Sequence, residues 1–238
     1  MKKILIALLS VALISCTELF HVLNEVSKAQ EAIVTDLDIA NGLKEALNKG
    51  VTKEVQKLTT TDGFLGNSLV KIPFPSELSN VESKLRSLGL GVLPDKGLEL
   101  MNRAAEDAVK EATPIFISAI QNMSFSDARK ILMGNDSSAT TYLESTTRDS
   151  LYNKFYPVMA NSFGKVGADK AWSNLTTSYN KIPFVTKMNT DIKDYATQKA
   201  LNGVFKMITI EEKEIRNNLQ ERTSDLLKKV FALQDKEQ

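Results

Sequence analysis

The chain has 238 residues, with 30 lysines and arginines against 29 aspartates and glutamates, one histidine and one cysteine. Near-neutral charge leaves no electrostatic footprint for nucleic acid, and a single thiol beside a single imidazole excludes disulfide stapling and the usual zinc and copper sites. Stability must come from a buried core, and a chain of this length has enough residues to build one.

Met1-Lys2-Lys3 is followed by an apolar run from Ile4 to Ile14 and by the junction Leu13-Ile14-Ser15-Cys16. A basic start, a short apolar core and a small residue at the cut form a secretory signal. The run is too short for a bilayer, which takes roughly 20 residues. The small residue precedes the only cysteine, which looks like a bacterial lipobox. Residues 1–15 are therefore expected to be a cleaved lipoprotein signal peptide, with Cys16 carrying the lipid. Each buried methylene adds about 0.8 kcal/mol, so several acyl chains anchor a protein nearly permanently. Thr17 rather than Asp after the cysteine favours, by analogy with lipoprotein sorting, the outer membrane facing the periplasm. Losing Lys2 and Lys3 leaves the mature chain at about −1. Residues 16–36 read as a lipidated tether and early helix, with an idle His21, and residues 37–238 as one all-helical domain.

From Leu37 the apolar residues Leu37, Ala40, Leu43 and Leu47 recur at helical spacing, and Asn48-Lys49-Gly50 reads as a stop. Val51 to Thr60 offers a second short helix. Thr61 to Asn67 is turn-rich, and Val70 to Pro75 must be extended because residues before proline avoid the α region. Ser76 is placed to cap a helix reaching Leu88. After Gly89, Gly91 and Pro94, Asp95 opens a helix with the stripe Leu98, Met101, Ala105, Ala108, Ala112, Ile115 and Ala119. Pro114 predicts a kink or a restart there, with Thr113 as cap. Ser124 to Asp127 resembles a capping box for a helix that stops at Gly134. Asp136-Ser137-Ser138 offers caps for the next helix, which is predicted to run to about Tyr156, before Pro157. Ala168 to Tyr179 is helical, as is Asp191 to Ile208. Thr209-Ile210-Glu211-Glu212 reads as a new capping box, and the last helix carries Leu226, Leu227, Val230 and Phe231. No run sustains strand alternation, so the fold class is all-α, a single multi-helix domain.

Chemistry is sparse. There is no nucleophile elbow, Walker loop or dinucleotide fingerprint. Asn135-Asp136-Ser137-Ser138 falls far short of a calcium loop and reads as a helix cap. Glu106, Asp127, Glu144 and Glu212 are the carboxylates from which a glycosidase pair would be drawn. Arg103 with Asp107, and Glu106 with Lys110, read more simply as i,i+4 pairs on a solvated face. Asn102 projects beside Val109 and Ile120 at the edge of the stripe, as a buried amide would. Trp172 and Tyr179 lie two turns apart and either line an apolar groove or, as aromatic residues more often do, pack in the core. Asn102, Arg103, Glu106 and Trp172 are thus the positions for a ligand site or a polar network; no catalytic residue, metal or cofactor is assigned.

Several segments carry a resemblance: Gly42-Leu43-Lys44-Glu45-Ala46-Leu47, Asp62-Gly63-Phe64 with Ile72-Pro73-Phe74-Pro75, Met101-Asn102-Arg103-Ala104-Ala105-Glu106, and Ser126-Asp127-Ala128. Ile131-Leu132-Met133-Gly134, Ala139-Thr140-Thr141-Tyr142, Glu211-Glu212-Lys213-Glu214-Ile215-Arg216 and Leu226-Leu227-Lys228-Lys229-Val230-Phe231 complete the series. In this order they resemble the bacterial lipoprotein family catalogued as domain of unknown function 4197. The resemblance implies export, a helical fold and no assigned activity. The chain departs from it at Glu144, where a basic residue is expected, at Asn217-Asn218 in place of Asp-Pro, and at Ala232 in place of a glycine.

The expectation for function is a non-enzymatic, lipid-anchored envelope module that binds or scaffolds. Its partners would be the membrane, through its lipid, and an envelope protein or an apolar ligand. Two alternatives stand beside it: a carrier of lipid or hydrophobic peptide in an inter-helix groove, and a carboxylate hydrolase of envelope glycans.

Overall fold

The computed structural model describes residues 34–165, 167–184 and 187–235; the expected signal segment, Cys16, His21 and the expected tether up to residue 33 lie outside them. Among the described residues the chain forms nine α-helices, two 3-10 turns and no strand. The helices are α1 Asp36–Thr59, α2 Ser79–Ser87, α3 Val92–Val109, α4 Ala112–Gln121, α5 Phe125–Leu132, α6 Ser138–Gly164, α7 Ala168–Tyr179, α8 Ile192–Asn217 and α9 Asp225–Asp235. The 3-10 turns are Ser76–Leu78 and Leu219–Glu221. No described helix is long and apolar enough to cross a membrane.

Two long antiparallel helices, α6 and α8, make the frame. Their register is read from side chains in sequence: Thr140 meets Glu212, Arg148 meets Gln198 and Asn202, Tyr152 meets Asp194, and Tyr156 meets Asp191. Between them lie Leu143, Leu151, Phe155 and Met159 from α6 and Ala196, Ala200 and Val204 from α8, all buried. Alanines on α8 let α6 approach closely, and Phe116 of α4 meets Phe205 edge-on at 5.9 Å. Helix α1 runs antiparallel to α8, for Lys53 pairs with Glu211 while Phe64, just past its end, packs on Gly203. Its N-terminus is fixed by a reciprocal box in which Thr35 Oγ1 accepts from Asp38 N and Asp38 Oδ2 accepts from Thr35 N. Asp191 caps α8 by accepting from the Lys193 and Asp194 amides.

Five predicted boundaries are corrected. Gly50 does not stop a helix: α1 runs on to Thr59, and the glycine is buried where a Cβ would sit 3.2 Å from Glu211 Cγ. It is there for the approach of α8. The stripe helix starts at Val92 rather than Asp95, with Pro94 in its first turn where a missing N–H costs nothing. It ends at Val109, and α4 restarts at Ala112 with no Thr113 cap. The ring of Pro114 opposes the carbonyl four residues back, at Lys110, which is where the chain breaks. The stripe survives, since Met101, Ala105, Ala108 and Ala112 are all fully buried. Helix α6 passes through Pro157 to Gly164. The proline faces solvent, and Phe155, Met159 and Phe163 are buried around it, so burial outweighs one lost helical hydrogen bond. Finally, α8 is continuous through Thr209, whose hydroxyl donates to the Phe205 carbonyl instead of capping a new helix.

Candidate functional site

The polar residues named from sequence fall into structural joints. Asn102 is fully buried; its amide donates to the Ile72 and Leu98 carbonyls at 3.0 and 2.8 Å, and its carbonyl accepts from Ile72 N at 2.8 Å. Extended backbone at Ile72 has no ladder partner, so the side chain of α3 supplies one. Glu106 is buried as well, which corrects the solvated-face assignment: Oε1 accepts from the Phe64 and Leu65 amides and Oε2 from Arg103. Arg103 also reaches Asp62, whereas Asp107 pairs with Lys110. The residues 60–75 loop crosses this face of α3, and no spacing along α3 alone reveals it.

A second joint was not foreseen. Glu212 on α8 accepts from Ala139 N, Thr140 N and Thr140 Oγ1 at 2.8–2.9 Å, so it caps α6 from another helix. Arg216, one turn on, donates to the Ile131 and Leu132 carbonyls at the end of α5 and pairs with Glu212. A carboxylate thus meets a helix start and a guanidinium a helix end, each the favoured polarity. Arg222 does the same for α8, donating to the Ile215 and Arg216 carbonyls and holding the Asp235 carboxyl below its ordinary range. Six of the nine segments that carry the resemblance pair off in these joints: Asp62–Phe64 and Ile72 with Asn102–Glu106, and Ile131–Leu132 and Ala139–Thr140 with Glu212 and Arg216.

The four carboxylates proposed for hydrolysis are each engaged locally. Asp127 belongs to the Ser124 cap of α5, Glu144 pairs with Arg148, and Glu106 and Glu212 serve the joints above. Asn135 Oδ1 accepts from Ser137 N as a turn before α6, and among the described residues no three ligating side chains gather for a metal. One carboxylate is oddly placed. Glu54 is buried on α1, where burial pushes its carboxyl up against the pull of Lys57, and its Oε2 has no partner.

Trp172 lies apart from these joints. It is 5% exposed, donates Nε1–H to the Asn189 carbonyl at 3.0 Å, and stacks on Tyr195 at 6.1 Å. Its ring forms part of the wall of an apolar groove of about 340 Å³ with Phe74, Leu85, Leu93, Ala171 and Leu175. Tyr179 is not among the groove residues and packs against the core. The groove runs between α2, the start of α3, and α7. Glu82, held by Arg86, is its one charged lining residue. Leu88, Leu90, Val92 and Leu93, in the connection from α2 to α3 and its first turn, are 46–65% exposed.

On the far side of the Ser76–Leu78 turn lies a second, polar cleft of about 610 Å³ that shares Phe74 and holds Glu77, Lys187, Tyr195 and Lys199. Burial pushes the Tyr195 hydroxyl up to about 12, leaving it a donor, to the Pro73 carbonyl at 2.9 Å.

A family model described as protein of unknown function (DUF4197) matches residues 33–232. Neither a curated protein nor a solved structure matches the chain. The match takes in the whole helical frame from α1 to most of α9, together with both joints, and the chain therefore belongs to the DUF4197 family.

Proposed function

We propose that this chain is a non-enzymatic binding module that holds the alkyl chain of a lipid in the groove between α2, α3 and α7. The carrying observation is the groove itself, about 340 Å³ with almost wholly apolar walls. Its size is that of a small-ligand pocket. A peptide brings an N–H and a C=O at each residue, and burying them unpaired is costly. An alkyl chain brings none, so walls that are apolar apart from Glu82, which Arg86 holds, suit it better. Exposed Leu88, Leu90, Val92 and Leu93 beside the groove form the kind of apolar patch that marks an interaction site.

In this reading the protein belongs to the cell envelope, exported by its N-terminal signal and anchored through lipid on Cys16, at the outer membrane facing the periplasm. Support comes from the order of charge, apolar core, Ser15 and Cys16. The groove includes Ile192, the first residue of α8, whereas α1 begins at the pole where α8 ends. The described chain therefore begins at the pole opposite the groove, the length of a 26-residue helix or about 40 Å away.

Lipid extracted from the purified chain and weighed by mass spectrometry tests the groove. An alkyl lipid should accompany the native chain and be lost from Ala171→Phe, which fills the groove from an exposed position. Equal lipid on both would refute the site. For the anchor, Cys16→Ala should abolish metabolic labelling with palmitate and leave uncleaved precursor; unchanged labelling would refute it.

A further inference from the structure

The groove and the polar cleft are neighbours with opposite chemistry. Phe74 lines both, and the Ser76–Leu78 turn divides them, with Leu78 on the groove and Ser76 and Glu77 on the cleft. The stacked pair Trp172 and Tyr195 spans them likewise, Trp172 to the groove and Tyr195 to the cleft. The cleft holds two cations against one carboxylate. Lys199 is exposed and lies 5.6 Å over the Tyr195 ring, a contact that leaves its ammonium protons free for an anion. Lys187 is exposed and donates to the Asn180 carbonyl, with donors remaining. Glu77 is half-buried and accepts from Ser76 Oγ at 3.2 Å.

We propose that the two cavities form one site for an anionic amphiphile, its alkyl chain in the groove and its carboxylate or phosphate head in the cleft facing Lys187 and Lys199. The proposal rests on the groove being an alkyl-chain site. Together the cavities, about 340 and about 610 Å³, fall within the size range of sites that enclose a small amphipathic ligand. Glu82 apart, the groove offers the tail no polar demand. The cleft offers the head charge-assisted donors, which are stronger than neutral ones. A neutral amphiphile of the same length gains the first and not the second.

The chain's only tryptophan, Trp172, is in the groove wall and reports on occupancy. The full-length chain, held in amphipol without free detergent, is titrated with dodecanoate, dodecyl phosphate and dodecanol while Trp172 emission is followed. An anionic probe should bind about tenfold more tightly than dodecanol, the ratio that one charge-assisted contact supplies. The tighter of the two anions identifies a fatty-acid or a phospholipid head. Lys187→Gln combined with Lys199→Gln should bring the anions down to the affinity of dodecanol and leave dodecanol unchanged. If all three probes bind alike and the lysine variants change nothing, the anionic-head assignment is overturned and the groove reading stands. If no probe shifts Trp172, or if Ala171→Phe leaves dodecanol binding intact, the groove reading fails and this proposal with it.

Discussion

Glu212→Gln is the most severe change of a single functional group that the fold predicts. Glu212 is buried and spends both oxygens: on Ala139 N, Thr140 N and Thr140 Oγ1 at the start of α6, and on Arg216. The glutamine keeps the shape and loses the charge. Its amide nitrogen is a donor facing donors, and Arg216, with its side chain 1% exposed, is left without a counter-charge. Removing one partner of a buried pair costs about 3–5 kcal/mol, a large share of the roughly 5–15 kcal/mol that holds a domain folded. The Lys110–Asp107 pair, with side chains 58% and 57% exposed, is the control, and Lys110→Ala should cost under about 0.5 kcal/mol. Urea denaturation measures both as a shift of midpoint at constant slope. Arg216→Met added to Glu212→Gln should cost less than the two changes separately sum to, by about 1–3 kcal/mol, because they remove one interaction. A Glu212→Gln chain as stable as Lys110→Ala would mean that α5, α6 and α8 are not joined through this pair.

Asn102→Ala should orphan the Ile72 N–H and C=O and cost about 2–4 kcal/mol; limited proteolysis should then cut within the residues 60–75 loop, and an uncut loop would count against the clamp. Gly203→Ala would put a Cβ 2.9 Å from Phe64 and 3.2 Å from Val70, costing about 1–3 kcal/mol by denaturation, whereas Gly164→Ala meets nothing within 4 Å and should be neutral. Glu54, whose carboxyl burial raises in the folded chain, binds its proton more tightly folded than unfolded. Its stabilising contribution is therefore complete below the unfolded carboxylate value and fades as pH rises through the folded one. Relative to Glu54→Gln, the native chain should therefore lose stability as pH rises across that window; a parallel pH profile in both chains would refute it.

Helices were legible because their burial is periodic. Ala168–Tyr179 is predicted and observed with the same ends, and the Ser124 cap and the stop at Gly134 stand as read. Three of the misread boundaries share one cause. Gly50, Pro157 and Thr209 carry local stop or start signals, and in each case a contact from elsewhere in the chain outweighs the signal. Gly50 admits Glu211, Pro157 lies on a helix buried on either side of it, and the glutamate of the supposed Thr209 box caps α6 instead. Propensity ranks most local alternatives within about 1 kcal/mol, which burial of one large side chain exceeds, and the roughly 3 kcal/mol of an interior proline is outweighed by Phe155, Met159 and Phe163 together.

The site was less legible than the fold. Asn102 stood out as an amide on an apolar edge, and that reading needed only its own helix. Glu106 was misread because i,i+4 geometry identifies neighbours on the same helix and is blind to a loop crossing it. The groove was foreseen only as an alternative, through Trp172, since Leu85, Leu93 and Leu175 look like ordinary core residues until assembly leaves them uncovered. Leu85, Leu93, Ala171, Trp172 and Leu175 also lie outside the segments that carry the family resemblance, most of which are spent on the joints around Asn102–Glu106 and Glu212–Arg216. Phe74 is common to both sets; the rest of the groove wall and the polar joints draw on different residues. The physical consequence is that the two can be changed independently: Ala171→Phe should change alkyl-chain capture while leaving the urea midpoint in place, and Asn102→Ala should lower the midpoint well before it alters the groove.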